Sequence, residues 1–233
     1  MRHRLAGAVT SWLGVQGARW SLPALVAVAA VTAAAYGVRI SGLGGIDSEI
    51  RVPVSLLLAP AAGVIAAVGC TAPVKHEPKP LKLIAARLVW AAALGGLAIG
   101  ATAVSLGTYR SLQLAALVRN VLLAQGAGLI LVAGGLAALA WAPATCWLLA
   151  AMLLGGGTDG RHLGFAMMLA SKAAPGALPL AAGVWAAGAL AYALLAGGRA
   201  PRRHRAPRGD LVARGRPGET NQPPGQSGSE ATP

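Results

Sequence analysis

The residues of this chain that could do chemistry lie far apart. The four histidines, His3, His76, His162 and His204, fall in four different segments. A metal site needs its ligands to converge on one point, and the topology argued below sets His162 on the opposite side of a membrane from the other three. The seven acidic residues are equally scattered. The chain contains no G-x-x-x-x-G-K-[ST] phosphate loop, no G-x-S-x-G nucleophile elbow and no H-E-x-x-H zinc motif. Gly155-Gly156-Gly157-Thr158-Asp159-Gly160 is glycine-rich but has no following lysine, and it reads as a turn. The expectation is a protein that is not an enzyme, with no cofactor and no metal, and any ATP hydrolysis it uses must come from another chain. Cys70 and Cys146 fall in apolar stretches and read as small core residues, not as a disulfide.

What remains with a polar role is a short run, Arg119-Asn120, followed by Gln125. Both amides lie in a long apolar segment. A carboxamide exposed to lipid is costly, so Asn120 and Gln125 are expected to face another helix, a water-filled cavity or a substrate path. Arg119 is expected to snorkel to lipid headgroups.

Composition explains why these few polar residues stand out. The chain has 233 residues, of which 55% are hydrophobic and only 12% charged, with a mean hydropathy of +0.61. Soluble domains carry about 25% charged residues. The profile excludes a disordered chain, a disulfide scaffold and most soluble enzymes. It implies an all-α, polytopic integral membrane bundle. Windows free of Asp, Glu, Lys and Arg cover residues 20–38, 52–74, 88–109, 120–158 and 173–198. As a single helix the fourth window would be about 58 Å long, against a bilayer core of about 30 Å. It is expected to fold back at Trp141-Ala142-Pro143, which gives six spans, at about 20–38, 52–74, 88–109, 120–140, 143–158 and 173–198. No Asp, Glu, Lys or Arg lies inside these windows, which argues against proton coupling; sodium coupling through backbone carbonyls stays open.

Basic residues set the orientation. With the N-terminus inside, 14 of the Lys and Arg residues lie inside and 6 outside. Both termini are therefore expected in the cytoplasm, on a multi-pass protein of the cell membrane. Residues 1–19 carry Leu5, Val9, Trp12, Leu13 and Gln16 at helical spacing beside Arg2, Arg4 and Arg19. They read as an amphipathic segment on the inner membrane surface, contacting anionic lipid, with no cleavable signal peptide. Residues 161–172 read as a short interfacial or re-entrant helix on the outer side. Residues 199–233 are rich in Arg, Pro and Gly and form a disordered cytoplasmic tail. The net charge of +13 reads as a topology and lipid signal and not as a nucleic-acid footprint. The inner loop carrying Lys75, His76, Glu77, Lys79 and Lys82 is a candidate docking surface for a soluble partner. Three small-x-x-x-small pairs, Gly96/Gly100, Ala124/Gly128 and Ala182/Ala186, are candidate helix contacts.

This layout of amphipathic start, six spans, basic second loop and short outer helix resembles the membrane subunit of exporter-type ABC transporters whose ATPase is a separate chain. Leu117-Val118-Arg119-Asn120-Val121-Leu122-Leu123 with its Ala/Gly-rich continuation is also similar to small permease-like proteins of high-GC bacteria. The resemblance covers about residues 1–198. It implies a permease pairing as a homodimer or heterodimer, with a separate ATP-binding subunit on the inner loop and N-terminal segment. The chain departs from that family in its short loops and few aromatic residues. The alternative is a non-transporting membrane scaffold, assembly or immunity protein; the substrate-binding subunit of a vitamin importer is a third reading.

Overall fold

The computed structural model describes residues 18–40, 52–71, 80–104, 110–154 and 176–195. Within them the chain is almost entirely helical. Helix α1 (Ala18–Ala34) leads into a two-residue strand β1 (Arg39–Ile40). Strand β2 (Val52–Pro53) pairs antiparallel with it, Arg39 opposite Pro53 and Ile40 opposite Val52. Helix α2 (Val54–Val68) follows directly. Then come α3 (Pro80–Ala103), α4 (Arg110–Ala133), a 3-10 turn at Ala137–Leu139, α5 (Ala142–Leu154) and α6 (Ala177–Leu195). Pro80 opens α3 at a position where its missing N–H has no intrahelical partner to lose.

Three stretches, Leu83–Ala103, Gln113–Ala133 and Ala177–Leu195, are long and apolar enough to cross a membrane. Helices α1, α2 and α5, at 17, 15 and 13 residues, are apolar but reach only roughly 20–25 Å. The outward faces carry Val89, Leu97, Leu180, Leu190 and Leu194 exposed. On a water-soluble bundle that would be an association liability; against lipid it is the expected surface.

Helix α4 is the axis. It packs on α2, α3, α5 and α6. Two thirds of its membrane-length stretch is buried, against a third or less for α3 and α6. Small residues let the backbones close. A Cβ at Gly63 would stand 2.6 Å from the Val121 carbonyl oxygen, and one at Gly128 would stand 2.7 Å from the Ala67 Cβ. A Cβ at Gly126 would lie 2.7 Å from the Val184 carbonyl oxygen, and one at Gly188 would strike the Gly126 carbonyl. Of the three small-residue pairs read from sequence, Ala124/Gly128 is buried in this packing. Gly96/Gly100 and Ala182/Ala186 instead face outward, and the two glycines have nothing within 4 Å of their added Cβ positions.

The long apolar window does fold back, but earlier than Pro143. The α4 helix stops at Gly134. Gly135 adopts φ +82°, a conformation that glycine enters without Cβ strain. The Leu136 N–H donates to the Leu131 carbonyl at 2.8 Å and the Gly135 N–H to Val132 at 3.0 Å, the paired bonds of a Schellman motif. Pro143 then sits in the first turn of α5, where proline is tolerated; it starts a helix instead of ending one.

The reading that no Asp, Glu, Lys or Arg enters a membrane-length helix is also corrected. Arg87 lies inside the α3 stretch and Arg119 inside the α4 stretch, and both are buried. A window bounded by charged residues ends at these arginines, whereas the helices run on through them. Cys70 is buried as expected, but Cys146 is exposed. Residues 1–17, the loop residues Lys75, His76, Glu77 and Lys79, the segment 161–172 and the tail 199–233 lie outside the described residues. Lys82 falls in the first turn of α3.

Candidate functional site

The buried polar groups form a seam along α4. Arg119 and Asn120 sit ten residues into the helix, both fully buried. The Arg119 Nε donates to Asn120 Oδ1 at 3.0 Å. That bond fixes the carboxamide, because the oxygen must face the guanidinium and the nitrogen the other way. The nitrogen then points to α2, where Nδ2 contacts the Leu56 carbonyl oxygen at 3.5 Å. Arg119 is therefore not at a headgroup level in the sense expected from sequence; its guanidinium is drawn into the bundle.

The Leu56 carbonyl has a particular history. Four residues on, α2 carries Pro60. In a regular helix the residue at 60 would donate its N–H to Leu56, and proline has none. In a membrane a backbone carbonyl released in this way is satisfied by a neighbouring helix. Here the neighbour is α4 and the donor is Asn120.

Five residues further, Gln125 joins three helices. Its Nε2 donates to the Ala91 carbonyl of α3 at 2.8 Å, and its Oε1 accepts from the Trp185 indole Nε1 of α6 at 3.0 Å. Gly95 makes the space: a Cβ there would stand 2.5 Å from Gln125 Oε1. Gln125 has no exposed surface.

Three further donors meet carbonyls near helix C-termini, the groups a helix cannot satisfy itself. The Arg87 Nη1 donates to Ala193 of α6 at 3.0 Å, with the guanidinium 6.0 Å from the Tyr192 ring centre. The α6 C-terminus carries the negative end of the helix dipole, which favours a cation there. The Trp90 Nε1 donates to Gly69 at 3.1 Å. Thr32 Oγ1 lies 2.8 Å from the Ala101 carbonyl at the end of α3. From sequence Arg87 reads only as one of the basic residues on the inner side, and Trp90, Trp185 and Thr32 carry no assigned role. A tryptophan in an Ala/Gly-rich helix was the available signal, since a buried indole N–H needs an acceptor.

Beside the seam lies an apolar cavity of about 190 Å³ between α4, α5 and α6, lined by Leu123, Ala127, Pro143, Trp147 and Val184 among others. Among the described residues there is no Asp or Glu and no grouping of metal-binding side chains. The described polar groups can hold helices together and orient one another; they form no nucleophile–base pair. Asn120 and Gln125, the two amides expected to face another helix, a cavity or a substrate path, each meet neighbouring helices, α2 for one and α3 with α6 for the other. Comparison with family models, with curated proteins and with solved structures gave no match.

Proposed function

We propose that this chain is the membrane-spanning permease subunit of an ABC-type, exporter-like transporter, working with a separate ATP-binding subunit. It crosses the cell membrane six times with both termini in the cytoplasm. The observation that carries the reading is the arrangement about α4, a buried helix packed on other apolar helices, with no catalytic constellation among the described residues. The helix registers support alternating passes. Arg87 near the start of α3 meets Ala193 at the end of α6, both cytoplasmic in this topology. Thr32 at the end of α1 meets Ala101 at the end of α3, both outside. Leu56, Gly63 and Ala67 of α2 follow Asn120, Val121 and Gly128 of α4 in parallel order. Flanking residues and local bilayer thinning span the shortfall of α1, α2 and α5.

The chain lacks a phosphate loop, so energy comes from a partner that docks on Lys75, His76, Glu77, Lys79 and Lys82. Because Asn120 and Gln125 are engaged within one copy, a path for cargo lies between two copies, in a homodimer or heterodimer embedded in lipid. One observation favours the alternative of a non-transporting scaffold, assembly or immunity protein: the same two amides are hydrogen-bonded to the bundle itself. Purification from native membranes in mild detergent separates the readings. The permease reading expects a P-loop ATPase in stoichiometric amount, lost on joint Lys79→Glu and Lys82→Glu substitution at unchanged membrane level. Absence of any ATPase with the native chain contradicts it and leaves the scaffold reading.

A further inference from the structure

We propose that Asn120 is a releasable latch on a proline hinge in α2. The inference is independent of the transport reading. Pro60 cannot donate to the Leu56 carbonyl, so α2 lacks one of the bonds that hold its first turns to the rest of the helix. Asn120 Nδ2 on α4 stands in for the missing donor, at a distance of 3.5 Å, the long limit of a hydrogen bond. Arg119 is a positioning residue: its Nε occupies Asn120 Oδ1 at 3.0 Å and so turns the amide nitrogen toward Leu56. With the contact made, the outer turn of α2 is held on α4. When it breaks, Val54 to Leu56 swing about Pro60, carrying β2 and the β1–β2 pair with them.

Close packing holds α2 on α4 C-terminal to the hinge. C-terminal to Pro60, a Cβ at Gly63 would stand 2.6 Å from the Val121 carbonyl oxygen, and the Ala67 Cβ lies 2.7 Å from where a Cβ at Gly128 would be. Pro60 thus divides α2 into a C-terminal part held on α4, followed in sequence by buried Cys70, and an N-terminal part carrying Ser55, 8% exposed.

The division sets the experiment. Replace exposed Cys146 by Ala, introduce Ser55→Cys, and keep Cys70 as an internal reference. Measure maleimide labelling of both thiols in the detergent-solubilised full chain, where either face is reachable. Asn120→Leu should speed labelling at position 55 about fivefold, the population change expected from one interhelical hydrogen bond of roughly 1 kcal/mol, while Cys70 stays slow. Asn120→Asp keeps the acceptor for Arg119 and removes the donor, and should act the same way. Pro60→Ala restores the backbone N–H and should slow labelling in the native background and return Asn120→Leu to the native rate or below. Three results would overturn the latch: native labelling in both Asn120 variants, Pro60→Ala without effect in either background, or parallel acceleration at Cys70, which means general loosening. Pro60→Ala tests the hinge even where an Asn120 variant does not insert.

Discussion

Asn120 and Gln125 are two carboxamides five residues apart on one helix, and they do different work. Gln125 binds two intact helices at once, through bonds of 2.8 and 3.0 Å, in a space that Gly95 leaves open. Asn120 sits beside a cation and reaches at 3.5 Å to a helix that proline has interrupted. The first arrangement fixes α3 and α6 to α4. The second compensates a defect in α2. The same residue chemistry gives a rivet in one place and a latch in the other, and the difference lies in the partner backbone.

Both amides act where helix backbones pack closely, and the largest effect should come from spoiling that packing. Gly188→Leu drives a side chain into the Gly126 carbonyl and separates α6 from α4. It should cost about 3 kcal/mol or more and abolish the monodisperse peak in detergent size-exclusion chromatography. Asn120→Leu removes an acceptor of the buried Arg119 guanidinium and the donor to Leu56 together. A loss of about 2 kcal/mol is expected, read as a lower thermal midpoint in detergent. Gln125→Leu leaves the Trp185 N–H without its partner and should cost roughly 1.5 kcal/mol. If Trp185→Phe in the Gln125→Leu background costs as much as it does alone, the two residues are uncoupled and the rivet is absent. Gly96→Leu, on the outward stripe, should change the monomer's stability by no more than about 0.5 kcal/mol; a large loss there would erase the contrast between inward and outward small-residue pairs.

Much of the helical layout was legible from charge-free windows, because membrane-length apolar runs have few other uses. The last segment, read as 173–198, is helical over Ala177–Leu195. The third and fourth were read to start at 88 and 120 but begin at Pro80 and Arg110. A helix continues through an arginine whose guanidinium finds carbonyls, as Arg87 does at Ala193, and spacing along the chain does not reveal a partner 106 residues away. The turn was misplaced for a related reason. Proline signals a helix boundary without saying which side of it ends, whereas the glycine pair at 134–135 held the stop. Burial of Asn120 and Gln125 followed from the cost of a naked amide in lipid. Their partners did not, because Ala91 and Leu56 contribute backbone carbonyls, which carry no sequence signature.

The proposed topology has six alternating passes about α4, with the turn at Gly134–Gly135 on the cytoplasmic side. Paired topology reporters, one active only in the cytoplasm and one only outside, fused after Gly135 and after Gly198, test this directly. Both fusions should score as cytoplasmic. An external score at Gly135 would remove the pass between α3 and α5 and contradict the six-pass bundle.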